Sequence, residues 1–148
     1  RSQLDVSRYA ARTPMQWSPG HNAGFTTGKA WLPVSSNYLA VNVENELADR
    51  DSLLTLYRRL LRLRRESLPL QQGGYERLEV ENPAILAFRR DCDGKALAVF
   101  LNFSGKSQPF RTDLNGSVVL STHSRVPAFS GVGRLDPNEG VVVWLRVA

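Results

Sequence analysis

The sequence predicts a mainly β protein, in which an irregular segment and one helix precede an antiparallel β-sandwich. Three observations lead to this fold class. Residues 1–48 show no sustained hydrophobic period, residues 51–66 show the three- and four-residue spacing of an amphipathic helix, and the period changes to two after Pro69. Short alternating segments separated by turn residues are typical of a small sandwich.

Prolines and glycines, rather than a repeating apolar pattern, punctuate the first 48 residues. They are Pro14, Pro19, Gly20, Gly24, Gly28 and Pro33. An irregular segment of this length is uncommon in a compact domain and is usually functional or part of a larger structure. The irregular segment therefore indicates a piece of a longer protein. The chain begins with Arg1 rather than Met, which fits a processed chain, a tagged chain or one cut from something larger.

The segment "DSLLTLYRRLLRLRRE", residues 51–66, predicts a helix. Asp51 or Ser52 can cap it by accepting a hydrogen bond from an early backbone N–H. One apolar stripe is expected, formed by Leu53, Leu56, Tyr57, Leu60, Leu61 and Leu63. Arg58, Arg62 and Arg65 lie on the opposite face. We expect Pro69 to stop the helix, because proline lacks the N–H that a helix interior needs.

Five segments after Pro69 are predicted as strands. They are residues 75–80, 84–90, 95–103, 117–121 and 140–147. The stretch "DCDG", Asp91–Gly94, predicts a tight hairpin between the second and third, because Asp-Gly tolerates the positive φ of such a turn. A module of this size is near the lower limit for an independent core.

Composition argues against several classes of function. The hydrophobic and charged fractions, 42% and 22%, are those of a globular protein, and no apolar run approaches the roughly 18 residues of a membrane span. The formal charge is +5, but six arginines lie between Arg50 and Arg65, so most of the surplus belongs to one solvated helix face. Without a basic tail or an aromatic-basic pattern, we expect neither a nucleic-acid nor a membrane partner.

Cys92 is the only cysteine, which rules out an internal disulfide and argues against a cysteine-based metal site. We interpret it as an incidental free thiol in the predicted turn. A chain without disulfides is favoured in a reducing compartment, and the first ten residues have no apolar core of the kind a signal peptide needs. We therefore expect a cytoplasmic location.

Taken by itself, the chain shows no catalytic machinery. His21 and His123 stand near no nucleophile motif, and we interpret both as surface or structural residues. No Asp or Glu lies between Val6 and Val43, and the remaining acids form no poised pair of the kind that glycosidases use. Metal-ligand spacings and glycine-rich phosphate motifs are missing, so we expect no metal and no cofactor.

The stretch "RTPMQW", residues 12–17, followed by "NAGF", residues 22–25, and then "WLPV", resembles a segment of the α-glucosidase branch of the α-amylase superfamily, glycoside hydrolase family 13. That branch includes oligo-1,6-glucosidases. The helix resembles the family's last barrel helix. "NPAILAFRRDCDGKALAVFLNFS" and "LDPNEGVVVWL" resemble strands of its C-terminal β-sandwich. The similarity covers nearly the whole chain from Arg12 onward.

This resemblance implies a domain organisation and a function. Residues 1–70 would be the tail of a catalytic (β/α)8 barrel, with the loop after strand eight and the final helix, and residues 71–148 the C-terminal sandwich. The rest of the barrel would be the partner. Arg12 is expected to bind the sugar in subsite −1, since a guanidinium can hold a carboxylate and present donors to hydroxyls. Active sites of such barrels lie on the loops after the strands.

The family's nucleophile Asp, acid/base Glu and transition-state-stabilising Asp lie upstream of "RTPMQW", and none maps onto this chain. The resemblance therefore implies a fragment of a retaining enzyme that acts on α-glucosidic bonds of oligosaccharides, and the fragment alone is not expected to be active. Ser18 stands where the family often has Asp, and Ser7–Tyr9 replaces its usual "GRD". Bond specificity is therefore open, and a trehalose synthase or sucrose isomerase is possible.

Two other functions stay open beside the enzyme, the second of them through the resemblance. One is an autonomous carbohydrate- or partner-binding β-module. The other is part of a catalytically dead scaffold homologue, of the kind found in transporter heavy chains. An independent binding module would not need a loop that carries a subsite arginine, so the presence of this loop favours the enzyme.

The aromatic residues have two interpretations each. The favoured interpretation of Trp17, Phe25 and Trp31 is that they pack the loop against the barrel. The alternative is that they form platforms on which sugar rings stack. In the β module, core packing is favoured over an accessory carbohydrate site for Phe88, Phe100, Phe103 and Trp144.

Overall fold

The computed structural model describes residues 12–123 and 128–146. The chain divides into two compact units, residues 1–58 and 59–148, and the division falls inside a helix. The proposed boundary between residues 70 and 71 stays a prediction. Among the described residues, no helix is long and apolar enough to cross a membrane.

The first unit contains regular structure that the sequence did not predict. A 3-10 turn spans His21–Gly24 and a short helix, α1, spans Val43–Ala48. The expectation of an irregular segment is therefore wrong at α1, whereas residues 1–11 lie outside the described residues. Asn42 caps α1, because its side chain accepts a hydrogen bond of 2.9 Å from the Asn45 N–H. A helix of six residues is too short to show a hydrophobic period.

The predicted long helix is confirmed as α2, Leu53–Glu66. Ser52, rather than Asp51, caps it: the hydroxyl of Ser52 accepts a hydrogen bond of 3.1 Å from the Thr55 N–H. The expected apolar stripe is present in sequence, but none of its residues is buried, and Leu53 is 65% exposed. The arginines of α2 are exposed as well.

The helix ends before Pro69, but proline does not stop it in the way we expected. A third helix, α3, spans Leu68–Gln72 and has Pro69 in its first turn. The first turn of a helix tolerates proline, because the backbone N–H has no intrahelical partner there. Pro69 therefore begins a new helix after the break at Ser67.

In the part of it that the structure describes, the second unit is a β-sandwich of eight strands. They are β1 Gly74–Arg77, β2 Ile85–Cys92, β3 Lys95–Asn102, β4 Gln108–Arg111, β5 Gly116–Ser121, β6 Ala128–Phe129, β7 Val132–Leu135 and β8 Gly140–Leu145. Six form one sheet in the order β1-β2-β3-β8-β5-β6, and β4 pairs with β7 in a second sheet. All the pairings given by the described residues are antiparallel, which confirms the mainly β fold class. Strands β4, β6 and β7 were not predicted.

The predicted hairpin joins β2 to β3. Asp93 and Gly94 have φ values of 50° and 70°, and Cys92 pairs directly with Lys95. A two-residue turn with two positive φ angles matches the twist of the strands that it joins. Cys92 is a half-buried free thiol at the end of β2, so the interpretation that placed it in the turn itself is wrong by one residue.

The core of the sandwich takes side chains from both sheets. Phe100, Phe110 and Phe129 form a cluster with ring centroids 5.0–5.6 Å apart. The rest of the core is mostly aliphatic, with Ile85, Ala87, Ala96, Ala98, Leu135, Val141, Val143 and Leu145. Aromatic pairs of this kind stabilise beyond the area that they bury.

Not every aromatic residue of the module packs in this core. Phe100 does, as expected. Phe103 is 73% exposed, so its assignment to the core is wrong; it follows β3 at the point where the strand ends. Phe88 contacts Tyr75 at 5.3 Å between ring centroids, and Trp144 is half-buried.

Candidate functional site

The candidate site is the segment of residues 12–18, which carries "RTPMQW" and is called the motif segment below. Burial alternates along it: Pro14 is buried, whereas Met15 and Trp17 are exposed by 49% and 51%. Arg12, at its beginning, is exposed. The motif segment forms no regular strand or helix beyond Pro14, so its conformation depends on hydrogen bonds to neighbouring segments.

The first neighbour is a left-handed turn at Asn22–Gly24. Asn22 and Ala23 have φ values of 50° and 55°, and Gly24 has a φ of 69°. The carbonyl of Ala23 accepts hydrogen bonds from the N–H groups of Trp17, at 2.8 Å, and Ser18, at 3.1 Å. This one carbonyl therefore fastens the end of the motif segment to the turn.

The residues of "NAGF" explain why the chain can adopt this turn. Asn visits the left-handed region more readily than most residues, and its Nδ2 donates to the carbonyls of Thr26, at 3.2 Å, and Gly28, at 2.7 Å. Ala23 is fully buried. At Gly24 an added Cβ would lie 2.7 Å from Oγ of Ser18, so only glycine fits there without movement.

The second neighbour is the N-terminal end of α1. The carbonyl of Gln16 accepts a hydrogen bond of 2.9 Å from the Val43 N–H, and the carbonyl of Trp17 accepts one of 3.1 Å from the Glu44 N–H. Nε2 of Gln16 donates to the carbonyl of Val41. The first N–H groups of a helix have no intrahelical partners, so the motif segment satisfies donors that would otherwise need water.

The end of α1 is connected in turn to the start of α2. Oγ of Ser52 donates to the carbonyl of Glu46 at 2.6 Å, and the Leu54 N–H donates to Oε2 of Glu46 at 3.2 Å. Oγ1 of Thr55 donates to the carbonyl of Asp49 at 2.9 Å. A continuous series of hydrogen bonds thus runs from the left-handed turn through the motif segment to the first turn of α2.

Arg12 has no carboxylate within 4 Å among residues 12–123 and 128–146. A buried structural ion pair for Arg12 is therefore not found within that part of the chain. Its expected contact with a sugar involves groups that the chain does not contain, so this role stays a prediction.

The three aromatic residues of this region are all exposed: Trp17, Phe25 and Trp31, the last by 73%. Trp31 lines an open groove of about 770 Å³ together with His21, Asn22 and Lys29. Neither pinning to a barrel nor stacking on a sugar is tested by these positions, and both stay predictions.

The remaining candidate residues are not brought together. His21 and His123 are exposed, and His123 approaches the hydroxyl of the adjacent Thr122 at 3.1 Å between Nδ1 and Oγ1. No group of three or more His, Cys, Asp or Glu side chains that could hold a metal ion occurs in the described part of the chain. The replacement at Ser7–Tyr9 lies outside the described residues.

Sequence reasoning found the motif segment but missed the two elements that hold it. For α1 the signal was Asn42 followed by acidic residues at 44 and 46, which suit the positive end of a helix. For the left-handed turn the signal was Asn-Ala-Gly, but alanine rarely has a positive φ, so this conformation could not be expected at Ala23.

Comparison with known proteins supports the family resemblance. The family model for the alpha-amylase catalytic domain matches residues 2–73. Trehalose-6-phosphate hydrolase of Escherichia coli K12 is 40% identical over 143 residues, and a probable oligo-1,6-glucosidase of Bacillus subtilis 168 is 38% identical over 129 residues. These alignments cover 95% and 84% of this chain but only 26% and 23% of the two relatives.

Solved structures agree with this result. Trehalulose synthase of Pseudomonas mesoacidophila MX-45 matches with a TM-score of 0.80 at 32% identity, covering 92% of this chain and 25% of that one. Isomaltulose synthase of Klebsiella sp. LX3 matches with a TM-score of 0.81 at 30% identity, covering 92% and 25%. The chain is therefore similar to proteins of the α-amylase family along most of its length, and it spans about a quarter of the length of these relatives. Its similarity to an oligo-1,6-glucosidase confirms the resemblance to the α-glucosidase branch.

Proposed function

We propose that these 148 residues are the C-terminal part of an α-glucosidase-type retaining glycoside hydrolase that acts on α-glucosidic bonds of oligosaccharides. The observation that carries the proposal is the match of 95% of the chain to a hydrolase of this family. In this proposal the chain supplies the loop after the eighth barrel strand, the last barrel helix and the sandwich. The catalytic carboxylates belong to the remainder of the enzyme. An independent binding module or a scaffold homologue is not favoured by any relative named above.

Arg12 is the residue of this chain that binds substrate in the proposed enzyme. Its guanidinium is exposed, has no carboxylate partner in the described residues and stands at the start of a segment that is fastened on two sides. A planar guanidinium can donate to a carboxylate and to sugar hydroxyls at once. Such a fork holds a non-reducing glucosyl residue in one orientation, which favours action at chain ends.

The bond that the enzyme cleaves is proposed to be α-1,6. Several relatives are named for this bond, among them the Bacillus subtilis protein and a glucan 1,6-alpha-glucosidase of Streptococcus dysgalactiae at 34% identity. Sucrose isomerisation is the second candidate, because the solved neighbours are trehalulose and isomaltulose synthases at 30–32% identity.

The rest of the barrel is the proposed partner of α2. Leu53, Tyr57 and Leu61 on the apolar stripe are exposed by 65%, 59% and 55%. A helix with one strongly apolar face normally buries that face against other elements. A cytoplasmic location is also proposed, and it depends only on the lone thiol Cys92.

The first test compares the complete product of the gene with the 148-residue chain. Both are assayed for glucose release from isomaltose, maltose and trehalose, and for isomerisation of sucrose. We expect the complete product to hydrolyse isomaltose fastest and the 148-residue chain to show no turnover. Turnover that copurifies with the 148 residues would contradict the assignment of the carboxylates. An inactive complete product would contradict the proposed function.

The second test is Arg12→Ala in the complete enzyme. Loss of a positioned donor from an active site costs about 100- to 1,000-fold in rate, so kcat/KM should fall by about 100-fold or more. Arg12→Lys keeps the positive charge but not the planar set of guanidinium donors, so an intermediate loss of kcat/KM is expected. Michaelis–Menten kinetics on isomaltose measure both. A near-normal kcat/KM for Arg12→Ala would remove this residue from the substrate site.

A further inference from the structure

The left-handed turn at Asn22–Gly24 places three consecutive residues at positive φ, two of which are not glycine. This conformation is unfavourable for residues with a Cβ, and left-handed residues normally occur singly. Strained backbone persists only where the surrounding structure requires it, and it is concentrated at functional sites.

The turn directs one backbone group at the motif segment. The carbonyl of Ala23 accepts from two successive N–H groups, those of Trp17 and Ser18, and the Ala23 N–H donates to the carbonyl of Gly20 at 2.9 Å. A carbonyl can accept two hydrogen bonds because it has two lone pairs. Reversing the φ of Ala23 would turn this carbonyl away from both donors.

Packing around the turn restricts the side chains that fit at Ala23 and Gly24. The Ala23 side chain is fully buried, and the Cβ of Trp17 would lie 3.4 Å from a Cβ added at Gly24. Asn22 closes the following loop by donating to the carbonyls of Thr26 and Gly28. The turn is therefore held in its strained form by contacts on both of its ends.

We infer that this left-handed turn is a positioning element for Arg12. It fastens residues 17 and 18 from one side, and α1 fastens residues 16 and 17 from the other. Between these hydrogen bonds and Arg12 lie only Thr13, the buried Pro14, whose φ is fixed by its ring, and Met15. The guanidinium that is proposed to bind substrate is thus positioned by backbone that is hydrogen-bonded to the turn. The inference rests on the proposed function of Arg12.

The test uses Ala23→Val and its conservative partner Ala23→Gly in the complete enzyme. Valine is β-branched and adopts a positive φ very rarely, whereas glycine does so without strain and keeps the carbonyl. We expect Ala23→Val to lower kcat/KM on isomaltose by tenfold or more. Ala23→Gly should keep kcat/KM within about threefold of the value for the unsubstituted enzyme. Asn22→Ala, which removes two side-chain hydrogen bonds without adding bulk, is the second variant if Ala23→Val does not fold.

A double-mutant cycle separates positioning from a merely structural role. If the turn acts through Arg12, the loss caused by Ala23→Val or Asn22→Ala should shrink to threefold or less in an Arg12→Ala background. Equal losses in both backgrounds would overturn the inference while leaving the role of Arg12 intact. Near-normal kcat/KM in a folded Ala23→Val variant would overturn it as well. Normal activity of Arg12→Ala alone, or an inactive complete enzyme, would instead overturn the proposed function on which it rests.

Discussion

The two units of the chain are held together in different ways. In the sandwich, the buried residues are mostly apolar and include the cluster of Phe100, Phe110 and Phe129. In residues 12–58, the buried side chains are Pro14, Ala23, Asn42 and Ser52. The large apolar side chains of that unit are mostly exposed, as for Met15, Trp17, Phe25, Trp31, Leu39, Val41, Leu47, Leu53 and Tyr57.

This difference shows which part of the chain carries its own hydrophobic core. The sandwich buries apolar area between its two sheets, which is the dominant stabilising term in folding. The first unit depends on hydrogen bonds between the motif segment, α1 and α2, each of which contributes little net free energy because water competes for the same groups. A unit of this kind is expected to be only marginally stable until another surface covers its apolar side chains, which agrees with the proposed barrel.

The largest expected effect on stability comes from removing a buried side chain of the sandwich core. Phe100 is fully buried, so Phe100→Ala should lower the free energy of unfolding by about 3–5 kcal/mol. Urea-induced unfolding of the 148-residue protein measures it. Trp144 is the only tryptophan of the second unit, so its fluorescence in a Trp17→Phe/Trp31→Phe background reports on the sandwich alone.

Phe103→Ala is the matched control, since the same side chain is removed three positions later. Phe103 is 73% exposed, so the change should be within about 0.5 kcal/mol. Similar losses from the two substitutions would contradict the assignment of Phe100 to the core and Phe103 to the surface.

The sandwich could be predicted in outline because its longer strands have clear patterns. Strands β2 and β3 are eight residues each and meet at an Asp-Gly turn, so period and turn chemistry agree. Strands β4, β6 and β7 are two to four residues long, which hides the alternation, and β4 and β7 also contain Pro109 and Gly133. Their positions depend on packing against the larger sheet, which a local pattern does not contain.

Two sequence motifs of the sandwich have a structural explanation rather than a catalytic one. Asn102 of "LNFS" is 2% exposed, and its Nδ2 donates to the carbonyls of Lys106 and Asp136 at 2.8 Å each. Its Oδ1 accepts from the Ser104 N–H at 2.9 Å. Asp136 begins "DPNEG", where the buried Glu139 accepts from Oγ of Ser121 at 2.9 Å. Buried polar groups need such partners, so these residues fasten the two segments together.

The candidate site was predictable only as a motif. "RTPMQW" and "NAGF" indicated a functional loop by resemblance, yet the hydrogen bonds that join them converge on the carbonyl of Ala23, a residue with no distinctive side-chain chemistry. Backbone groups are the same at every position, so sequence patterns do not reveal which carbonyl will accept two donors. The apolar stripe of α2 was correctly predicted, but its exposure was not, because a period indicates a buried face without indicating what covers it.

Smaller effects on stability are expected from two adjacent residues of the first unit, one buried and hydrogen-bonded and the other exposed and apolar. Ser52 is 6% exposed, caps α2 and donates to the carbonyl of Glu46, so Ser52→Ala should cost about 1 kcal/mol. Leu53 is 65% exposed, so Leu53→Ala should change the stability of the 148-residue protein by no more than about 0.5 kcal/mol. Thermal unfolding followed by circular dichroism at 222 nm measures both.

In the proposed complete enzyme the order of these two effects should reverse. If the remaining barrel covers the stripe of α2, Leu53→Ala creates a cavity there and costs about 2–5 kcal/mol, whereas the cost of Ser52→Ala stays near 1 kcal/mol. The same small effect of Leu53→Ala in both proteins would show that the stripe faces solvent in each, and would contradict the barrel as the partner of α2. A reversal would show that a unit fastened by hydrogen bonds in isolation takes its hydrophobic stabilisation from residues outside it.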